Sequence, residues 1–237
     1  MATLLSQKPL YYLRVAWQSA LAAAFSLGLP AGLSLWLILL LQVYKSNRVE
    51  SLSGFFQAHG IYRIYLVALS SILWGYLLGR ITGYRPWWRI GLASAVAILA
   101  TWFSPLANVD GILYAYRPSL PIHLNYAAAM VGLIGGVTFF VGLAYGIMLR
   151  SIKAALTMSV MTSVVSVLTL LLTILVFDRF GIRVGTGNFA MSKVTVAGLL
   201  TSSIMGGMVL GVGFSWFVEQ SNHSRMNSTQ LPEPYPQ

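Results

Sequence analysis

The chain has 237 residues, of which 57% are hydrophobic and only 8% charged, with a mean hydropathy of +0.74. A soluble domain carries roughly a quarter charged residues, so this composition excludes a water-covered globule and makes lipid the expected solvent. A formal charge of +10 from 15 Lys and Arg would suggest nucleic acid in a soluble protein, but here the cations stand in ones and twos between apolar runs, which excludes nucleic acid as a partner and matches membrane-flanking charge.

Hydropathy predicts an all-α, polytopic transmembrane bundle of about six spans, at 16–43, 62–82, 88–106, 124–149, 152–177 and 194–217. Residues 1–220 form a single membrane domain, with short interfacial segments in the longer loops. Tyr11, Tyr12, Trp17, Tyr44, Tyr62, Tyr65, Trp87, Trp88, Tyr126 and Trp216 fall near predicted ends, where amphipathic rings prefer the headgroup layer.

The first span follows Lys8 and Arg14, as the core of a signal peptide follows its positive start. Its run of roughly 27 residues is far longer than the ~7–15 of a cleavable core, so it is retained. It carries a small residue at every fourth position, Ala16, Ala20, Ala24, Gly28 and Gly32, and Pro30 is expected to kink it because proline cannot donate to the carbonyl one turn back. The segment "SLSGFFQAHGIYR" (51–63) suits the interface or a partner subunit.

The four-residue spacing recurs along the chain. The second span has Ser71, Gly75, Gly79 and Gly83, the fourth Ala128, Gly132 and Gly136, and the sixth Ser203, Gly207, Gly211 and Ser215. Steps of four advance a helix by about 400°, so each set forms one slowly drifting ridge. Between helices in lipid, apolar contact alone gives little attraction, whereas small residues let backbones approach. Ala, Gly and Ser are common here, so a single pair carries little weight; runs of four and five are the signal for helix packing.

The fifth span bears a different stripe. Ser159, Thr162, Ser163, Ser166, Thr169 and Thr173 project into an arc of about 120°. Two readings apply: hydroxyls bonding to neighbouring helices or to their own carbonyls, and a mildly polar path for a solute.

Connections after the second and fourth spans are short and basic (Arg80, Arg85, Arg89; Arg150, Lys153), and six spans place both termini on that same side. Lys and Arg number 8 there (Lys8, Arg14, Arg80, Arg85, Arg89, Arg150, Lys153, Arg225) against 7 opposite (Lys45, Arg48, Arg63, Arg117, Arg179, Arg183, Lys193), a difference too small to fix orientation. The basic tight turns favour cytoplasmic termini, and a prokaryotic cell membrane is the expected location. The tail Ser221–Gln237 is polar and Pro-rich, with the composition of a disordered segment.

The ingredients of catalysis are sparse. Zero cysteines exclude disulfides, thiolate catalysis and thiolate-ligated metals. Asp110, Asp178 and Glu219 sit at or beyond span ends, no HExxH occurs, and "GTGNF" (185–189) lacks the following Lys-Ser/Thr of a phosphate loop. His59 and His123 precede the second and fourth spans on one membrane face; together they offer the weak option of a metal, haem or chlorin, against the plainer reading of ordinary interfacial residues. No metal or cofactor is expected. The leading reading is a non-catalytic accessory or scaffolding subunit, packed against other membrane subunits or itself within the bilayer. The alternative is a small transporter or substrate-capture component using the fifth-span stripe, and a third reading is a membrane enzyme built on Asp110, His123 and Asp178.

Overall fold

The computed structural model describes the backbone of residues 2–30, 60–102, 104–108, 122–181 and 188–229, and the side chains of 8–30, 67–101, 104–106, 127–181 and 194–222. Six α-helices occur among these residues, and no strand. They are α1 (Ala2–Ala23), α2 (Gly60–Thr82), α3 (Trp87–Trp102), α4 (Ile122–Met148), α5 (Ile152–Arg179) and α6 (Asn188–Thr229).

Three stretches are long and apolar enough to cross a membrane: Ala127–Met148, Ile152–Arg179 and Val194–Asn222. The apolar stretches Val67–Thr82 and Trp87–Thr101 are shorter. Each of the six expected spans overlaps a described helix, but only three of these helices are long and apolar enough to count as membrane spans among the described residues, and the first begins at Ala2 rather than 16. The third prediction is the weakest for a geometric reason. α3 has 16 residues, or roughly 24 Å at 1.5 Å per residue, and a 3₁₀ turn, Pro105–Asn108, stands where residues 88–106 were expected to continue the helix. Conversely, α6 has 42 residues and reaches Thr229, so it continues well into the polar tail from Ser221.

Pro30 acts locally. The first helix passes into a π-helical segment, Ala24–Gly28, in which the Leu29 N–H bonds to the Ala24 carbonyl, five residues back. Widening the turn just before a proline is one way a helix accommodates the missing donor. The first predicted span, 16–43, is described only as far as Pro30.

Each helix packs on its neighbours in sequence, and α1 closes the ring against α6. The α1–α6 pair is antiparallel: Lys8 meets Glu219, Tyr11 meets Ser215, Ser19 lies at Gly207 and Gly211, and Gly28 lies at Ser203. The larger core joins Trp74, Leu78, Ile90, Tyr145, Met158 and Phe214 from five helices. A smaller cluster of Met130, Ile134 and Leu170 lies toward the opposite ends of α4 and α5.

The short basic connections are tight turns. Gly83 ends α2 at φ +70°, a conformation in which its lack of Cβ matters. Arg150 takes the same left-handed region, at φ 56°, after α4. Its N–H bonds to Ile147 O at 2.9 Å, and that of Ser151 to Gly146 O at 3.0 Å, the paired bonds of a Schellman ending. Ser151 then caps α5, its side chain accepting from Ala154 N at 3.2 Å.

Candidate functional site: helix interfaces and an α1–α2 cleft

The small residues lie at three kinds of contact. On α6, a Cβ at Gly207 would stand 2.9 Å from Ser19 O and also against the Ala23 Cβ, and one at Gly211 would collide with the Ser19 side chain. The facing row on α1 is thus Tyr11, Val15, Ser19 and Ala23, one residue off the predicted Ala16, Ala20, Ala24 and Gly28. The latter are buried too, and Gly28 faces Leu200 and Ser203 at 3.2 Å. Ser203 is part-exposed and Ser215 buried. Gly32 lies outside the described residues.

On α2, a Cβ at Gly75 would sit 2.7 Å from Gly91 Cα, and one at Gly79 would sit 2.6 Å from Trp87 Cβ. Ser71 is buried next to Gly91. Gly83 belongs to the turn, with nothing within 4 Å of an added Cβ. Gly91, on α3, forms only a single pair at that spacing, with Ala95, and so carries little signal in the sequence; the facing backbone reveals its role.

On α4, Gly136 faces Thr101 and Leu106, while Ala128 and Gly132 are half-buried. The closest approach to α5 uses other glycines: a Cβ at Gly142 would be 2.5 Å from Ser159 N, and one at Gly146 would run into the backbone of Ala155. Gly142 and Gly146 are themselves four apart, as are Ser151, Ala155, Ser159 and Ser163 across from them, so the signal existed in the sequence. It was hidden because the α5 hydroxyls read as a separate polar stripe.

That stripe is engaged in helix contacts. Ser159 Oγ donates to Ala155 O at 2.6 Å, Thr169 to Val165 O at 2.8 Å and Thr173 to Thr169 O at 2.8 Å, each back along α5. Ser163 donates to Gly135 O on α4 at 3.1 Å. Ser166 and Ser202 each donate to the other's carbonyl, at 3.4 and 3.1 Å, and Thr173 and Thr201 hydroxyls meet at 2.9 Å, tying α5 to α6. Thr162 Oγ1 is the exception in the stripe: it is buried and without a hydrogen-bond partner.

Two polar features had no counterpart in the sequence reading. Trp74, Ser94 and Tyr145 meet in the larger core, and Tyr145 also packs edge-on against Phe214, with ring centroids 5.5 Å apart. At the other feature, Glu219 receives the Tyr12 hydroxyl at 2.6 Å and lies 3.3 Å from Lys8 Nζ. The Tyr12 hydroxyl is pushed up to about 12, first by partial burial, then by its bond to the Glu219 carboxylate, that carboxylate's charge and neighbouring Tyr11. A carboxylate beside a phenol opposes formation of a second negative charge.

Antiparallel neighbours bring Lys8, Arg14, Arg80, Arg85, Arg89, Arg150 and Lys153 to one end of the bundle, all exposed. Exposed Trp17, Trp87, Trp88 and Trp216 lie at the same end, with Arg89 over the Trp88 ring at 5.3 Å. Between α1 and α2 at this end opens a cleft of about 590 Å³, with Tyr11, Arg14, Gln18 and Arg80 among its lining residues. A second, of about 360 Å³, lies at the α4–α5 turn beside Arg150. Neither is lined by the α5 hydroxyls.

Asp178 is exposed at the far end of α5. His59 and Asp110 lie outside the described residues, and His123 is placed only as a backbone position in the first turn of α4. The helices and three full-length candidate spans are those of a membrane protein. Compared with family models, curated proteins and solved structures, the chain matches none of them.

Proposed function

We propose that this chain is a non-catalytic integral membrane protein serving as an accessory or scaffolding subunit of a larger membrane assembly. The observation that carries this reading is the state of the α5 stripe: its hydroxyls other than that of Thr162 bond to α4, α6 and their own helix, which is what a structural role asks of them. The outward side of α5 supplies a matching ridge for a neighbour. Leu156, Val160, Val164, Leu168 and Leu172, four residues apart, are each half or more exposed. The reading assigns no metal or cofactor, and an optical spectrum of the purified protein with a Soret or chlorin band would contradict that part.

Purification in mild detergent followed by mass determination tests the proposal. Stable co-purification with a fixed set of other membrane subunits supports it. A free monomer or homo-oligomer that moves a solute across liposomes overturns it in favour of transport. One observation favours that second reading: buried Thr162 Oγ1 lacks a partner close to Gly206 and Thr138, where α4, α5 and α6 converge. Replacing Ser166 by Ala and Thr169 by Val discriminates, since a path loses flux with assembly intact, whereas a packing role loses assembly.

A further inference from the structure

We propose that the α1–α2 cleft is a binding site for one anionic phospholipid, with its phosphate held between Arg14 and Arg80 and an acyl chain along Leu21 and Phe25. The lining residues are sorted by chemistry along the helix axes. Tyr11, Arg14 and Gln18 come from the middle turns of α1, C-terminal to Lys8, and Arg80 from the last turn of antiparallel α2. Deeper toward the bundle centre the cleft is walled by Leu21, Phe25 and Leu77. A phosphate diester has two acceptor oxygens and one negative charge, and the guanidinium fork matches it in geometry and sign. No salt bridge to a carboxylate is seen for either arginine among the described residues; Lys8 pairs with Glu219 at 3.3 Å.

The length agrees with a lipid rather than a small phosphate ester. From Tyr11 to Phe25 the α1 wall runs about 14 residues, or roughly 21 Å, the scale of a single acyl chain. Phe25 is 61% and Leu21 43% exposed, so an apolar occupant would cover surface that no described residue covers. The mouth lies at the level of Trp17, Trp87 and Trp88, rings that favour the headgroup layer. Basic pockets between membrane helices are a recurring way to hold anionic headgroups.

The test uses the full chain in detergent, with retained lipid counted by native mass spectrometry after exposure to phosphatidylglycerol or phosphatidylcholine. The expected result is one retained phosphatidylglycerol, preferred over phosphatidylcholine. Arg14→Gln with Arg80→Gln lowers its retention roughly 10- to 30-fold, and Arg85→Gln with Arg89→Gln, on the same basic end outside the cleft, changes it less than about twofold. Equal losses in the two double variants, or no preference for the anionic lipid, would overturn the proposal in favour of diffuse surface attraction. Efficient displacement by soluble glycerol phosphate would overturn it in favour of a free phosphate ester. A measurement on the unaltered protein stands beside these: photoreactive phosphatidylglycerol should label peptides covering residues 11–25 and 77–81, and labelling confined elsewhere rejects the site.

Discussion

The indole N–H of Trp74 donates to the Tyr145 hydroxyl at 2.6 Å, joining α2 to α4 at a point where both side chains are fully buried. The Tyr145 hydroxyl meets Ser94 Oγ on α3 at 2.6 Å, and Ser94 donates onward to Ile90 O at 2.9 Å. Since indole N–H only donates and Ser94 gives its proton to Ile90, the chain has one direction, Trp74 to Tyr145 to Ser94 to Ile90. Three helices are locked in register by a network with every member satisfied.

Tyr145→Phe keeps the ring's contact with Phe214 and removes only the hydroxyl, leaving the Trp74 donor buried and unpaired. The expected loss is about 1–2 kcal/mol of stability in detergent, read by thermal or denaturant unfolding. Adding Trp74→Phe to that variant should cost less than the two single changes summed, because the unpaired donor is gone. Full additivity would show that the network has no energetic reality.

The absence of cysteine from the sequence gives a clean test of how α1 closes the ring. A Cβ at Gly28 would lie 3.2 Å from Ser203 Cβ, within a few tenths of an ångström of the spacing a disulfide needs. Gly28→Cys with Ser203→Cys should oxidise to an intramolecular bridge, visible as a reducible mobility shift. A dimer band without that shift would place α6 against another copy instead.

Tyr12 titrates late, first because it is partly buried and then because Glu219 faces it. Its folded-state value, about 12, lies above the ordinary phenol value near 10. Its contribution to α1–α6 docking is therefore complete below about pH 10 and lost as pH rises through about 12. Glu219→Gln removes both the carboxylate acceptor and its charge, so the Tyr12 phenolate, measured as the absorbance difference from a Tyr12→Phe control, should form at lower pH. An unchanged titration would reject the contact.

Thr162 and Ser202 make an opposed pair. Thr162→Val replaces an unpartnered buried hydroxyl by a methyl of similar shape and should change stability by less than about 0.5 kcal/mol, or raise it. Ser202→Ala breaks one of the two reciprocal bonds with Ser166 and should cost about 0.5–1.5 kcal/mol. Unfolding of both variants in the same detergent compares them directly, and a larger loss from Thr162→Val would mean that its hydroxyl has a partner.

Gly75 and Gly83 share a predicted ridge but differ in what they do. Alanine at Gly75 meets the Gly91 backbone, which has no rotamer to yield, so the α2–α3 hairpin must open. Alanine at Gly83 finds open space and pays only for its positive φ, on the order of 1–2 kcal/mol. Cross-linking yield across the hairpin should fall for Gly75→Ala and hold for Gly83→Ala.

What the sequence determined by itself was the set of helices and their chemistry. Period and hydropathy are local, so α2, α4 and α5 fall within two residues of their expected limits, and the basic turns at Gly83 and Arg150 were legible as short charged connections. Which small residues meet was not, because spacing along one helix says nothing about rotation toward a neighbour: α1 presents the row of Ser19 and Ala23 to Gly207, one position from the row its spacing marked. Nor did any local pattern link Trp74, Ser94 and Tyr145, or Glu219 with Tyr12, since those partners come from different helices and meet only when the ring closes. Tertiary packing decided the pairings, because a hydroxyl or a glycine has no fixed role until another backbone is placed against it.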